Sequence, residues 1–184
     1  MTIKLFFIII NLIGFNFCYS LDQNSSPTSS EPTSIDLTSS KGIEVLADIK
    51  RQADEGDKEA QFYYALVNYN GQAGSKNLEE ARIYFKKAAD QGEPDSQLRY
   101  ALMCDQGEGG EQDLVQARAY YKKVADQGLV EGEIYYASMC EQGEGGKQDL
   151  VQARAYYKKA ADQGILEAQA SYASMCYHSE GGEQ

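Results

Sequence analysis

Three stretches of this chain are near copies of one another: ARIYFKKAADQG at 81–92, ARAYYKKVADQG at 117–128 and ARAYYKKAADQG at 153–164, each 36 residues after the last. A fixed period of this length marks a stacked repeat architecture. Each unit is too small to bury its own apolar face, so it buries that face against its neighbours. The period therefore argues against a fold built around one central core. It also bears on function, because a stack of repeats encloses no pocket of its own and offers a long surface to partners.

Each unit reads as two short helices. In the second helix of the three copies, Asn77, Asp113 and Asp149 precede an apolar-periodic stretch, and Glu80, Gln116 and Gln152 follow three residues later. That spacing predicts a capping box, with two reciprocal side-chain-to-backbone hydrogen bonds at the helix start. Ala81, Tyr84, Phe85 and Ala88 recur at spacings of three and four and so share one buried face. The same holds for Ala117, Tyr120, Tyr121 and Val124, and for Ala153, Tyr156, Tyr157 and Ala160. Gly92, Gly128 and Gly164 stand where a helix end wants left-handed backbone. The lysine pairs before them (Lys86-Lys87, Lys122-Lys123, Lys158-Lys159) suit the negative end of the helix dipole and read as a solvated face.

The first helix of each unit begins near Asp57, Pro94, Val130 and Leu166, with Pro94 suited to a first turn. Tyr64, Tyr100, Tyr136 and Tyr172 hold one position, and Ala65, Ala101, Ala137 and Ala173 hold the next. An unvarying small residue predicts close helix–helix approach. Gly71, Gly107 and Gly143 close this helix, and a Gly-rich loop leads to the next cap. Ile43 to Ala53, ended by Gly56, resembles a degraded second helix that caps the N-terminal end. The expected frame is a half repeat over 41–56, repeats over 57–92, 93–128 and 129–164, and an incomplete repeat over 165–184.

The recurring pattern is Ala-x-x-x-(Leu or Tyr)-(Gly or Ala), then Gly-x-Gly, then Asp-x-x-x-Ala, then Tyr-x-Lys-Ala-Ala-x-Gln-Gly. It resembles the Sel-one-like repeat family, close relatives of tetratricopeptide repeats, over about residues 57–184 with a half-match from 41. The resemblance implies an all-α protein: a right-handed α-solenoid of antiparallel helix pairs in 36-residue repeats, used as a scaffold or adaptor. Members of that family include signalling adaptors, lumenal adaptors of endoplasmic-reticulum protein degradation and bacterial secreted proteins. A cysteine-rich bacterial subset carries two cysteines per repeat and is linked to β-lactam binding. This chain has one cysteine per repeat, so β-lactam binding is not carried over, and a secreted bacterial repeat protein with penicillin-binding or β-lactamase-like activity is kept only as the alternative reading. Two departures are notable. Gly110 and Gly146 occupy a loop position that is usually apolar, which predicts a looser loop. The chain stops at Gln184, where another second helix should start, so the sequence is a fragment or its last repeat is open to self-association.

Positions identical in all copies are explained by packing, and outward positions that differ are candidates for recognition. By analogy with tetratricopeptide grooves, the inner face of the first helices carries Glu59, Phe62, Leu66 and Tyr69. The equivalents are Asp95, Leu98, Leu102 and Asp105, then Glu131, Ile134, Ser138 and Glu141, then Glu167, Ala170, Ser174 and Tyr177. The spacing of three, four, three keeps each set on one face. The expected ligand is a protein or peptide with apolar anchors and basic flanks. The competing expectation is that Phe62, Leu98 and Ile134 only pack between repeats.

Charge narrows the partners. The 184 residues carry a formal net charge of −11. That disfavours nucleic acid, which needs Lys and Arg to displace counterions, and it disfavours anionic membranes. Residues 1–20 read as a signal peptide: Lys4, an apolar run from Leu5 to Phe17, then small residues before a cleavage point after Ser20. Residues 21–40 are Ser/Thr/Pro-rich and read as a disordered linker with a sequon at Asn24. The protein is therefore expected to be secreted, periplasmic or in the endoplasmic-reticulum lumen, free of the membrane after cleavage. Cys104, Cys140 and Cys176 recur every 36 residues. Stacked helices lie about 8–10 Å apart. A disulfide needs Cα atoms within about 7 Å, so these are expected to be small core residues rather than bridges.

No cofactor and no catalytic chemistry are expected. The stretch 140–148 fails as a phosphate loop: Glu141 stands where the first glycine belongs and Gln148 replaces Ser/Thr. The stretch from Asp105 to Asp113 has the wrong ligand spacing for calcium. His178 is the single histidine and assembles no triad or metal set.

Overall fold

The computed structural model describes residues 36–178 and 181; the expected signal peptide, the Asn24 sequon and most of the linker lie outside them. Eight helices follow in order: α1 Ser40–Asp54, α2 Lys58–Asn70, α3 Leu78–Asp90, α4 Pro94–Gln106, α5 Leu114–Asp126, α6 Val130–Gln142, α7 Leu150–Asp162 and α8 Leu166–Tyr177. Extensive contact runs between helices adjacent in the chain, α1 against α2 through to α7 against α8. The result is a right-handed α-solenoid of antiparallel helix pairs with 36-residue repeats. Leu37, inside the stretch expected to be linker, is buried, and Ser39 caps α1 by accepting from the Gly42 N–H. Packing thus includes Leu37, which lies against Gly42 of α1.

Half of each predicted capping box forms. Asn77, Asp113 and Asp149 accept from the N–H groups of Glu80, Gln116 and Gln152. A cap of this kind contributes about 1 kcal/mol. The reciprocal bond is absent, because the cap N–H groups are already used. Asn77 donates to the Asn68 carbonyl at 3.0 Å, and Asp113 and Asp149 donate to the carbonyls of Cys104 and Cys140 at 2.8 Å. These bonds staple the end of each first helix to the start of the second.

The Gly-rich loops are tight, contrary to the looseness expected from Gly110 and Gly146. A Cβ on Gly109 would stand 2.2 Å from the Leu78 carbonyl oxygen, and one on Gly110 would stand 2.8 Å from the Arg82 guanidinium. Gly145 and Gly146 meet Leu114 and Arg118 in the same way. Arg118 donates to the loop carbonyls of Glu144 at 3.1 Å and Lys147 at 3.0 Å. Glycine is needed here so that the loop backbone can lie on the preceding second helix.

A ladder of tyrosines ties each repeat to the next. Tyr64 meets Tyr84 edge to face at 4.7 Å, and Tyr100–Tyr120 and Tyr136–Tyr156 do so at 4.9 Å. The hydroxyls of Tyr84, Tyr120 and Tyr156 donate to Asp54, Asp90 and Asp126, which end the second helix one repeat back. The lysine pairs are exposed as expected, but they are also engaged. Lys86 and Lys122 pair with Asp90 and Asp126, while Lys87 and Lys123 cover the rings of Tyr84 and Tyr120. Cys104 and Cys140 are free and fully buried. Cys176 is free but exposed, because no helix among the described residues covers the far side of α8.

Candidate interaction surface

The residues assigned to each first helix by spacing do share a face. In α2 Glu59 is exposed and Phe62 and Tyr69 are half-buried, but Leu66 is only 7 % exposed and belongs to the core. In α4 Asp95 is exposed and Leu98, Leu102 and Asp105 are half-buried. In α6 Glu131 is exposed and Ile134, Ser138 and Glu141 are half-buried. In α8 Glu167, Ala170, Ser174 and Tyr177 are all exposed. Phe62, Tyr69, Leu98, Leu102 and Ile134 each pack against the core while keeping one side open. Packing and surface presentation are therefore combined in the same side chains.

Beneath this stripe lie Phe85, Tyr121 and Tyr157 of the second helices. Phe85 meets Phe62 at 6.0 Å and Tyr69 at 6.3 Å between ring centroids. In the next two repeats the buried ring carries a hydroxyl and the position of Tyr69 carries a carboxylate. Tyr121 donates to Asp105 at 3.4 Å and Tyr157 donates to Glu141 at 3.0 Å. The two changes belong together, because a buried phenol needs an acceptor and a buried phenyl ring does not. Burial, then Glu141, pushes the Tyr157 phenol up to about 12, and burial and Asp105 raise Tyr121 as well. Asp105 and Glu141 are thus partners of core tyrosines as well as members of the acidic edge.

One further position lines the same face. Tyr63, Arg99 and Tyr135 stand one residue after Phe62, Leu98 and Ile134. Arg99 lies 6.0 Å from the Phe85 ring of the repeat before it. Tyr135 stacks on Tyr121 at 4.9 Å and 20° and remains 39 % exposed. The position was legible as the variable one (Tyr, Arg, Tyr, Ser) directly before the invariant Tyr-Ala pair.

Exposed carboxylates at Glu59, Asp95 and Glu131 line one edge of the stripe. Although Asp95 is exposed, partial desolvation by its neighbours first, then Glu93 and Glu131, raises its carboxyl against the pull of Arg99. Tyr63 is raised by burial and then by Glu59, Glu93 and Asp95. Among the described residues no group of three or more potential metal ligands gathers, and no helix is long and apolar enough to cross a membrane. Asp105 and Asp113, at the ends of the loop resembling a calcium site, are used by Tyr121 and by the cap of α5.

The architecture places the chain in the class of helical repeat proteins that present a solenoid surface. Three consecutive Sel1 repeats match at 58–93, 94–129 and 130–165, and the chain belongs to the Sel1 repeat family. It is similar to the crystal structure of c5321, a protective antigen present in uropathogenic Escherichia coli strains displaying an SLR fold. That likeness has a TM-score of 0.67 and 30 % identity, over 74 % of this chain and 29 % of that one. It is also similar to a Sel1 repeat protein from Oxalobacter formigenes, with a TM-score of 0.66 and 26 % identity, over 77 % of this chain and 57 % of that one. The fold is shared with Helicobacter pylori cysteine rich protein B, with a TM-score of 0.54 and 17 % identity, over 72 % of this chain and 96 % of that one. The chain thus spans less than two thirds of the first two proteins it resembles. No curated protein matches it. Sel1-repeat proteins typically act as protein-interaction scaffolds, are generally not catalytic and are often extracytoplasmic. Nothing in the fold or in these likenesses supports the penicillin-binding alternative.

Proposed function

We propose that this chain is a non-enzymatic scaffold or adaptor of a secretory or extracytoplasmic compartment that holds an extended protein segment on the concave side of the solenoid. The segment lies along Phe62, Tyr69, Leu98, Leu102 and Ile134, with Glu59, Asp95 and Glu131 beside it and the Tyr63–Arg99–Tyr135 ridge as the second wall. The observation that carries this reading is the pairing of half-buried apolar side chains with a run of exposed carboxylates at Glu59, Asp95 and Glu131. Desolvation first, then the like charges of Glu93 and Glu131, raises the Asp95 carboxyl against the pull of Arg99. A lysine or arginine on the ligand relieves that repulsion, while apolar ligand side chains cover the open sides of the rings.

The test is selection of random displayed peptides on the full chain. Enriched peptides should combine two or more large apolar residues with Lys or Arg. The charge reversals Asp95→Lys and Glu131→Lys should each weaken them about tenfold or more while helicity by circular dichroism is unchanged. Leu98→Ala should weaken them too, again with helicity retained. Enrichment of acidic peptides, or binding indifferent to all three substitutions, would refute the proposal.

A further inference from the structure

The joints between repeats are sealed at one recurring position. Gln61 and Gln97 donate from Nε2 to the carbonyl eight residues earlier, Ala53 at 3.0 Å and Ala89 at 3.1 Å. Each also accepts at Oε1 from the glutamine after the next second helix, Gln91 at 2.8 Å and Gln127 at 2.7 Å. Gln169 repeats the donor half, to Ala161 at 3.3 Å. The third repeat has Glu133 at this position. Its side chain is 3 % exposed and accepts from Gln163 Nε2 at 2.8 Å. A carboxylate keeps the acceptor half of the glutamine role and loses the donor half. Only the protonated acid has a hydrogen to offer toward the Ala125 carbonyl, the counterpart of Ala53 and Ala89.

The surroundings do little to hold a buried anion. From α7, Lys159 and Tyr156 face Glu133, and Lys159 lies over the Tyr156 ring at 4.1 Å. The Tyr156 hydroxyl donates to Asp126, which also pairs with Lys122, so the end of α5 adds a further negative charge behind the tyrosine. Otherwise α5 presents uncharged Val124 and Ala125 to this turn of α6. On α6 itself Glu131 is exposed.

We propose that Glu133 is a pH-sensitive lock on the joint between the second and third repeats, closed when the acid is protonated and loosened when it ionises. Burial raises the Glu133 carboxyl above its ordinary value of 4.5, against the opposing pull of Lys159 and the Gln163 hydrogen bond. The sign follows from linkage. Stability from the neutral acid is fully present below 4.5 and is lost as pH rises through the raised value. The inference concerns folding alone and stands or falls independently of any ligand on the stripe.

The test is urea unfolding of the full chain and of Glu133→Gln across a pH series. Below pH 4.5 the gap between them should be constant. Above it the gap should move in the variant's favour, by up to about tenfold in the folding equilibrium constant per pH unit, until the carboxyl is ionised. Hydrogen exchange in the first turn of α6, corrected for intrinsic rates, should accelerate with pH in the wild type and not in the variant. Infrared difference spectra between the two proteins read the same group directly: a protonated carboxyl band should persist above pH 4.5. A gap that does not vary with pH, or a band lost together with those of exposed glutamates, would overturn the proposal.

Discussion

Gly132 supports a sharp test of how the repeats are fitted together. It lies inside α6 with ordinary helical backbone, so an alanine there should by itself gain about 1 kcal/mol of helix propensity. The neighbouring helix denies that gain. A Cβ on Gly132 would stand 2.6 Å from Val124 Cγ1 and 2.6 Å from the Ala125 nitrogen, and Val124 is wholly buried. Overpacking of this kind costs about 1–3 kcal/mol, so Gly132→Ala should lose a net 1 kcal/mol, roughly. Two of the other joints carry smaller pairs at the equivalent positions, Ala88 with Ser96 and Ala160 with Ala168. Val124→Ala alone empties a filled site and should cost about 2 kcal/mol, from roughly 0.8 kcal/mol per methyl-sized group plus the cavity. The double variant rebuilds the Ala–Ala joint of the last repeat and should lie within about 1 kcal/mol of the wild type, a coupling of about 2 kcal/mol. Urea unfolding followed by far-ultraviolet circular dichroism measures all four corners of the cycle. If Gly132→Ala is as stable as the wild type, or the two substitutions add, the argument from fitted volumes is wrong.

Two further outcomes are expected. Ser96 is fully buried and its hydroxyl has no hydrogen-bond partner among the described residues, while its counterparts are Ala60, Gly132 and Ala168. Ser96→Ala should therefore raise the urea midpoint, by about 1 kcal/mol in stability. Thiol labelling of the native protein followed by intact-mass measurement should modify Cys176 promptly and leave Cys104 and Cys140 protected until denaturant is added. Rapid labelling of all three would show that the stack opens far more readily than its burial implies.

The 36-residue period, the helix pairs and the accepting half of each cap were legible in the residues because these features are local and recur. A cap aspartate, a closing glycine and a three-four apolar rhythm each act within one or two turns, and three copies in register leave little room for another reading. The variable outward positions were partly legible for the same reason. The rest depended on neighbours 16 to 36 residues away. Leu66 was assigned to the open stripe but is core, since its depth is set by the helix packed across it. Asp105 and Glu141 read as a simple acidic edge, yet each accepts a hydrogen bond from a buried tyrosine 16 residues on. The loop at Gly110 read as loose and is held against Arg82 of the repeat before it.

Glu133 shows the division most clearly. Its departure from the glutamines at 61, 97 and 169 is visible by comparing copies, but a lone glutamate among glutamines on a helix is usually solvated. Only stacking brings α5 and α7 around it, removes its water and sets Gln163 against it, so that a small change in composition becomes a charge without solvent. Periodicity decided which helices form, because hydrogen bonds within a turn and the segregation of apolar faces are properties of short segments. Burial, and with it protonation and surface shape, was decided by the stack, because desolvation depends on whatever distant part of the chain comes to lie alongside.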